Sequence, residues 1–104
     1  MKFLALDCDN MTYEDCVIEV KRIRNLITPV KLGTAIIKRS SEKNRHIIFP
    51  NARLSKEQEL GLIMVSRAHE GWKRFTYLAE DTTIRVSAKK GASAPEIEGV
   101  IEDE

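Results

Sequence analysis

Apolar and polar positions change period along this chain, and the changes mark out its elements. Residues 2–8 form an apolar run whose side chains, as a strand, alternate in direction. Leu4, Leu6 and Cys8 then share one face, and Phe3, Ala5, Asp7 and Asp9 the other. Cys16, Val20, Ile23 and Ile27 recur at helical spacing, with Lys21, Arg22 and Arg24 outside that stripe. Thr12 and Asp15 open this helix as a capping-box-like pair. Pro29 stops it, because proline supplies no N–H and restricts Thr28. Residues 30–39 read as a second strand, with Leu32, Thr34, Ile36 and Lys38 facing away from Gly33, Ala35 and Ile37. A polar turn over 40–44 joins it to a third strand, 45–49, which predicts an antiparallel hairpin. Ser55 and Gln58 make a second capping box, followed by a helix with the stripe Leu60, Ile63, Met64 and Ala68 and a stop at Gly71. Residues 72–79 and 82–89 alternate once more around a turn at Glu80 and Asp81.

This order of elements predicts an α+β fold. It is a ferredoxin-like (RRM-like) βαββαβ two-layer sandwich over residues 1–90, with an extra C-terminal strand and an acidic tail. The first and third strands are central neighbours in such a sheet. Both helices cover one face, and a site belongs on the open face. Residues 91–104 have the composition of a disordered segment.

The length of 104 residues suits one core. No apolar stretch reaches membrane-spanning length, and no signal-peptide pattern opens the chain, so a membrane partner is not expected. Cys8 and Cys16 make neither a metal-ligand spacing nor a disulfide framework, which suits buried thiols in a reducing, cytoplasmic setting. The net charge of +1 hides an asymmetry: from Gly91 onward there are five acids and no bases. The body is correspondingly basic, which fits either a polyanionic partner or a solvated basic surface. The tail alternates aliphatics with acids. It fits three roles: a strand added to a protein partner's sheet, a competitor with nucleic acid for the basic body, or a frayed solubilising end.

Asp7 and Asp9 are the first candidates for chemistry. Two carboxylates on one strand face can share a divalent cation, because hard cations take several oxygen ligands from one side. The competing reading makes Asp9 and Asn10 the polar turn that ends the strand. If Ile47 and Phe49 pack on the helices, His46 faces the open side next to the two acids. Lys38, Arg39, Ser40, Ser41 and Arg45 lie on or beside the turn leading to His46. Their hydroxyls, cations and backbone N–H groups suit phosphate oxygens. Cation on the acids beside phosphate on the turn is the layout of nucleotidyl transfer.

An apolar strand ending Leu6-Asp7-Cys8-Asp9, then the turn Ser40-Ser41-Glu42-Lys43-Asn44-Arg45 leading to His46, resembles a known pattern. It is similar to the catalytic core of archaeo-eukaryotic primases and primase-polymerases, and of small replication-associated proteins from archaeal mobile elements. The resemblance covers about the first half of the chain. It implies Mg2+ or Mn2+ on Asp7 and Asp9, phosphate contacts from Ser40, Arg45 and His46, a catalytic part for His46, and DNA rather than RNA as partner. The chain departs from the pattern in three ways. Glu42, Lys43 and Asn44 stand where glycines are usual. Asp81, the nearest third acid, reads better as a hairpin-turn residue. The length leaves little room for a flanking module. A minimal or degenerate nucleic-acid-binding relative fits these departures better than an active polymerase. The open face would then meet the strand through Lys31, Lys38, Arg39 and Arg45, with Lys73 and Arg74 as further candidates. The alternatives are a metal-dependent nucleotidyltransferase-like enzyme and a small homodimeric regulatory protein anchored by Trp72, Phe75 or Tyr77.

Overall fold

The computed structural model describes residues 4–26, 32–68, 70, 73 and 96–102. The elements run β1 (Leu4–Asp9), α1 (Tyr13–Leu26), β2 (Ala35–Arg39), β3 (Asn44–Phe49), α2 (Lys56–Val65) and β4 (Glu96–Ile101). Among the described residues the architecture is α+β: a four-stranded antiparallel sheet in the order β1-β3-β2-β4, with the two helices α1 and α2. The sequence expectations for residues 74–79 and 82–89 lie outside the described residues, as do Pro29, Lys31, Gly71, Trp72 and Asp81, while Lys73, expected in a strand, is helical.

Strand alternation decides where the core sits. Leu6 pairs with Ile47, which pairs with Ile37, and all three are fully buried on the side where α1 contributes Cys16, Val20 and Ile23. Leu4, Cys8, Ala35 and Phe49 join the same cluster, as do Leu62 and Ile63 from α2. Each large aliphatic or aromatic side chain removed from water in this way contributes roughly 1.5–3 kcal/mol before entropy is charged against it.

The two capping boxes form as the sequence spacing predicts. The Thr12 amide donates to Asp15 Oδ2 at 3.0 Å while the Asp15 amide donates to Thr12 Oγ1 at 3.1 Å. At α2 the Ser55 amide donates to Gln58 Oε1 and the Gln58 amide to Ser55 Oγ. Each arrangement satisfies N–H groups that the first helical turn leaves without partners.

Helix α2 departs from the expected stripe. Glu59, Leu62 and Ile63 are its buried residues, while Met64 is 47% exposed. The helix ends at Val65, ahead of the expected stop. The Ser66 hydroxyl donates to the Ile63 carbonyl at 2.7 Å and accepts from the Ala68 amide, so local side-chain bonding replaces the next helical turn. Lys73, expected on the nucleic-acid face, is buried instead. Its ammonium donates to the Ser66 and Met64 carbonyls, where a cation suits the negative end of α2.

Residues 96–101 are a strand where the composition pointed to a disordered tail. Ile37 pairs with Gly99 but Lys38 pairs with Ile97, so Glu98 is the extra residue of a β-bulge. The bulge lets Ile97 and Val100, three apart, face away from the helices together, while Glu98 and Gly99 turn towards them. Tyr13 lies so close over Gly99 that a β-carbon there would come within 2.6 Å of the ring's Cε1. Arg24 fastens the far end, donating to the Ile101 carbonyl at 2.8 Å, the Glu102 carbonyl at 3.1 Å and the Gly33 carbonyl at 2.7 Å.

Candidate functional site

The antiparallel register sets Asp7 directly opposite His46, and His46 opposite Lys38. Residues directly opposite in such a pair lie on the same face. Because Leu6, Ile47 and Ile37 point into the core, Asp7, His46 and Lys38 form a row on the face away from the helices. His46 Nε2 lies 3.5 Å from Asp7 Oδ1, an ion pair when the imidazole is protonated. Asp9, two residues on, has the same parity as Asp7 and pairs with Asn44.

This face is not evenly open. Ala5 is fully buried and His46 is only 4% exposed, whereas Asp7, Asp9, Lys38, Ile36 and Ile48 are half-buried. Exposure is greatest on β4, at Ile97 (60%) and Val100 (50%).

Asn10 closes β1. Its φ of 56° lies in the left-handed region that asparagine tolerates, and its amide donates to Asn44 Oδ1 at 3.2 Å. The chain turns at Asn10, and both aspartates lie on β1 ahead of the turn.

The β2–β3 turn does not make the expected phosphate cradle from its serine amides. The Ser40 and Ser41 N–H groups both donate to the Asn44 carbonyl, at 3.0 and 3.3 Å. Arg39 Nε donates to the Ser41 carbonyl at 3.2 Å. Arg45 has the parity of Ile47 and Phe49 and lies on the helix side, away from His46. Its guanidinium holds Glu98 through Nε–Oε1 at 2.9 Å and Nη2–Oε2 at 3.3 Å, and Nη1 donates to the Met11 carbonyl at 2.8 Å. The structure therefore brings together Asp7, His46 and Lys38, keeps Asp9 beside them, and separates Arg45 from them.

Comparison of the chain with protein-family models, with curated proteins and with solved structures found no match. The geometry has to carry the functional reading alone. Among the described residues no three His, Cys, Asp or Glu side chains converge as a metal site. Asp7 and Asp9 are nevertheless hard oxygen donors of the kind that Mg2+ and Mn2+ take, with water filling the remaining positions.

Two charged groups that the sequence pattern did not single out lie near these elements. Glu98 was masked by its acidic surroundings. Glu19 sits on the buried side of α1, fully buried, and binds Arg22 Nε at 2.7 Å and Nη2 at 2.8 Å and the Arg67 amide at 2.7 Å. Arg22 also donates to the Val65 carbonyl, so this cluster joins α1 to the end of α2. Its one sequence signal was the i, i+3 spacing of Glu19 and Arg22.

Proposed function

We propose that this domain binds nucleic acid, single-stranded DNA in preference to RNA, as a minimal replication-associated protein. The observation that carries the reading is the cross-strand row Asp7–His46–Lys38 on the sheet face away from the helices. A carboxylate, an imidazole and an ammonium group in one row are the groups that position a phosphodiester and a cation together. The β1–β3 neighbourhood, with both helices packed on the other face, supports the ferredoxin-like, RRM-like form of the fold. Asp7 and Asp9 would hold the divalent cation, whose charge would offset that of the phosphates. Lys38 pairs with phosphate oxygens, and Asp7 holds the orientation of the His46 ring. Nucleotidyl transfer would ask for a third carboxylate, and its sequence candidate, Asp81, lies outside the described residues.

The test is oligonucleotide binding across a salt series. Affinity for a single strand falls as salt rises, and Lys38→Gln lowers the slope of log K against log salt by about 0.7 for the one phosphate contact removed. No binding at low salt, or binding that ignores salt, ends the reading. Calorimetry with Mg2+ or Mn2+ tests the cation arm: Asp7→Asn/Asp9→Asn abolishes the binding heat, and equal heats in both proteins remove the site.

A second reading, a small homodimer without catalytic activity, is favoured by the exposure of Ile97 and Val100 on one face of β4. Light scattering decides it: a dimer that Ile97→Lys/Val100→Lys converts to monomer supports it, and a wild-type monomer at high concentration rejects it.

A further inference from the structure

β4 brings a negative side chain from distant sequence onto an arginine that sits at a cleft. The Glu98 carboxylate meets Arg45 Nε and Nη2 through both of its oxygens, and Nη1 is fixed on the Met11 carbonyl. Two oxygens of one anion on a guanidinium fork is the geometry a phosphate group uses. The cleft beside the pair, about 230 Å³, is lined by Asn10, Met11, Thr12, Glu42, Lys43 and Arg45. It has room for a phosphate and supplies Lys43 as a second cation. The same register sets Glu96 opposite Arg39, so the acids of β4 align with both arginines of the hairpin.

We propose that β4 is an internal competitor for the polyanion. Glu98 holds the Arg45 guanidinium that a nucleic-acid phosphate would otherwise take, and strand binding is linked to release of that carboxylate. The inference rests on the nucleic-acid reading above and adds that the bound strand passes the end of β1 and the β2–β3 turn to reach the cleft, because Arg45 lies on the opposite side of the sheet from Asp7, His46 and Lys38. Release requires no change in the core, because the bulge presents Glu98 as the residue outside the regular β2–β4 pairing, with its side chain 28% exposed. The exchange replaces one anion on Arg45 with another.

Titration of a labelled single-stranded oligonucleotide at low salt tests this, with Glu98→Gln compared against Glu57→Gln. The second variant removes the same charge from an exposed position on α2. Glu98→Gln binds about five-fold more tightly than Glu57→Gln, the scale of a partly exposed ion pair. The gain disappears in the Arg45→Gln background, where Glu98→Gln adds nothing. Circular dichroism checks each variant's fold. Glu98→Asp, which keeps the charge but shortens its reach, gives a smaller gain in the same direction. Equal affinity of Glu98→Gln and Glu57→Gln overturns the competitor while leaving the nucleic-acid reading in place. Absence of binding by every variant, Glu98→Gln included, overturns both.

Discussion

Glu19 illustrates how a buried carboxylate keeps its charge on the core side of a helix. Burial pushes its pKa up, but the Arg22 hydrogen bonds, the Arg67 amide and the two nearby positive charges outweigh that, leaving it below the usual carboxylate range. A folded pKa below the unfolded one gives stability that is present above the ordinary carboxylate value and drains away as pH falls through the lowered one. Glu19→Gln should therefore cost about 2 kcal/mol at neutral pH. Its urea midpoint should converge towards that of the wild type as acidification carries the pH below the lowered Glu19 value. Parallel midpoint-against-pH curves would remove Glu19 from the acid response. The two thiols answer the same forces in the opposite sense. Burial, with neighbouring negative charge adding to it, drives Cys8 well above the ordinary thiol range, and burial pushes Cys16 up to about 11. Both should react with a thiol-specific disulfide reagent at least about ten-fold more slowly in the native protein than in urea, since the thiolate is the reactive form. Fast native labelling of either would contradict this packing. At this scale much of the candidate site was legible. Alternation alone put Asp7, Asp9 and His46 opposite the core set. The same alternation assigns Arg45 to the side of Ile47 and Phe49; its basic character and the family resemblance drew it into the phosphate turn.

Whole elements were legible where their signals are local. The capping boxes at Thr12 and Ser55 and the β2–β3 hairpin each depend on residues a few positions apart, and each formed. The face of α2 was not legible, because two rows share helical spacing. One is Leu60, Ile63 and Met64; the other is Glu59, Leu62, Ile63 and Ser66. The second row is buried, with a glutamate and a serine that no hydrophobic pattern selects. β4 was only partly legible: its aliphatics and acids suited a strand, but in a protein partner's sheet and not in this one. Its alternation is broken by the Glu98 bulge, and its acids match the composition of a solvated tail. Its packing depends on Gly99 beneath Tyr13, a contact across most of the chain. Gly99→Ala should thus cost about 1–3 kcal/mol, the range of overpacking at a tight contact. Tyr13→Ala should make the added methyl group nearly neutral in the double variant. Equal losses from Gly99→Ala with and without the ring would show that Tyr13 does not set the limit.

Across the molecule, burial falls from the middle of the sheet towards β4, and stability should follow it. β3 is bonded on both sides, by β1 and β2, and carries Ile47 and Phe49 fully buried. β4 pairs with β2, bears Ile97 and Val100 exposed, and relies at its ends on side chains, Arg24 at Ile101 and Glu102 and Arg45 at Glu98. Opening β4 therefore uncovers far less apolar surface than separating β1 from β3, and a local opening needs only a fraction of the global unfolding free energy. Native-state hydrogen exchange reads this directly. Ladder amides of β3 should exchange only through global unfolding, with a strong denaturant dependence. Those of β4 should exchange at least about ten-fold faster with a weak dependence, and Arg24→Ala should speed β4 alone. β4 amides as protected as those of β3 would make the sheet one cooperative unit. Glu98 could then leave Arg45 only by side-chain rotation, not by strand opening.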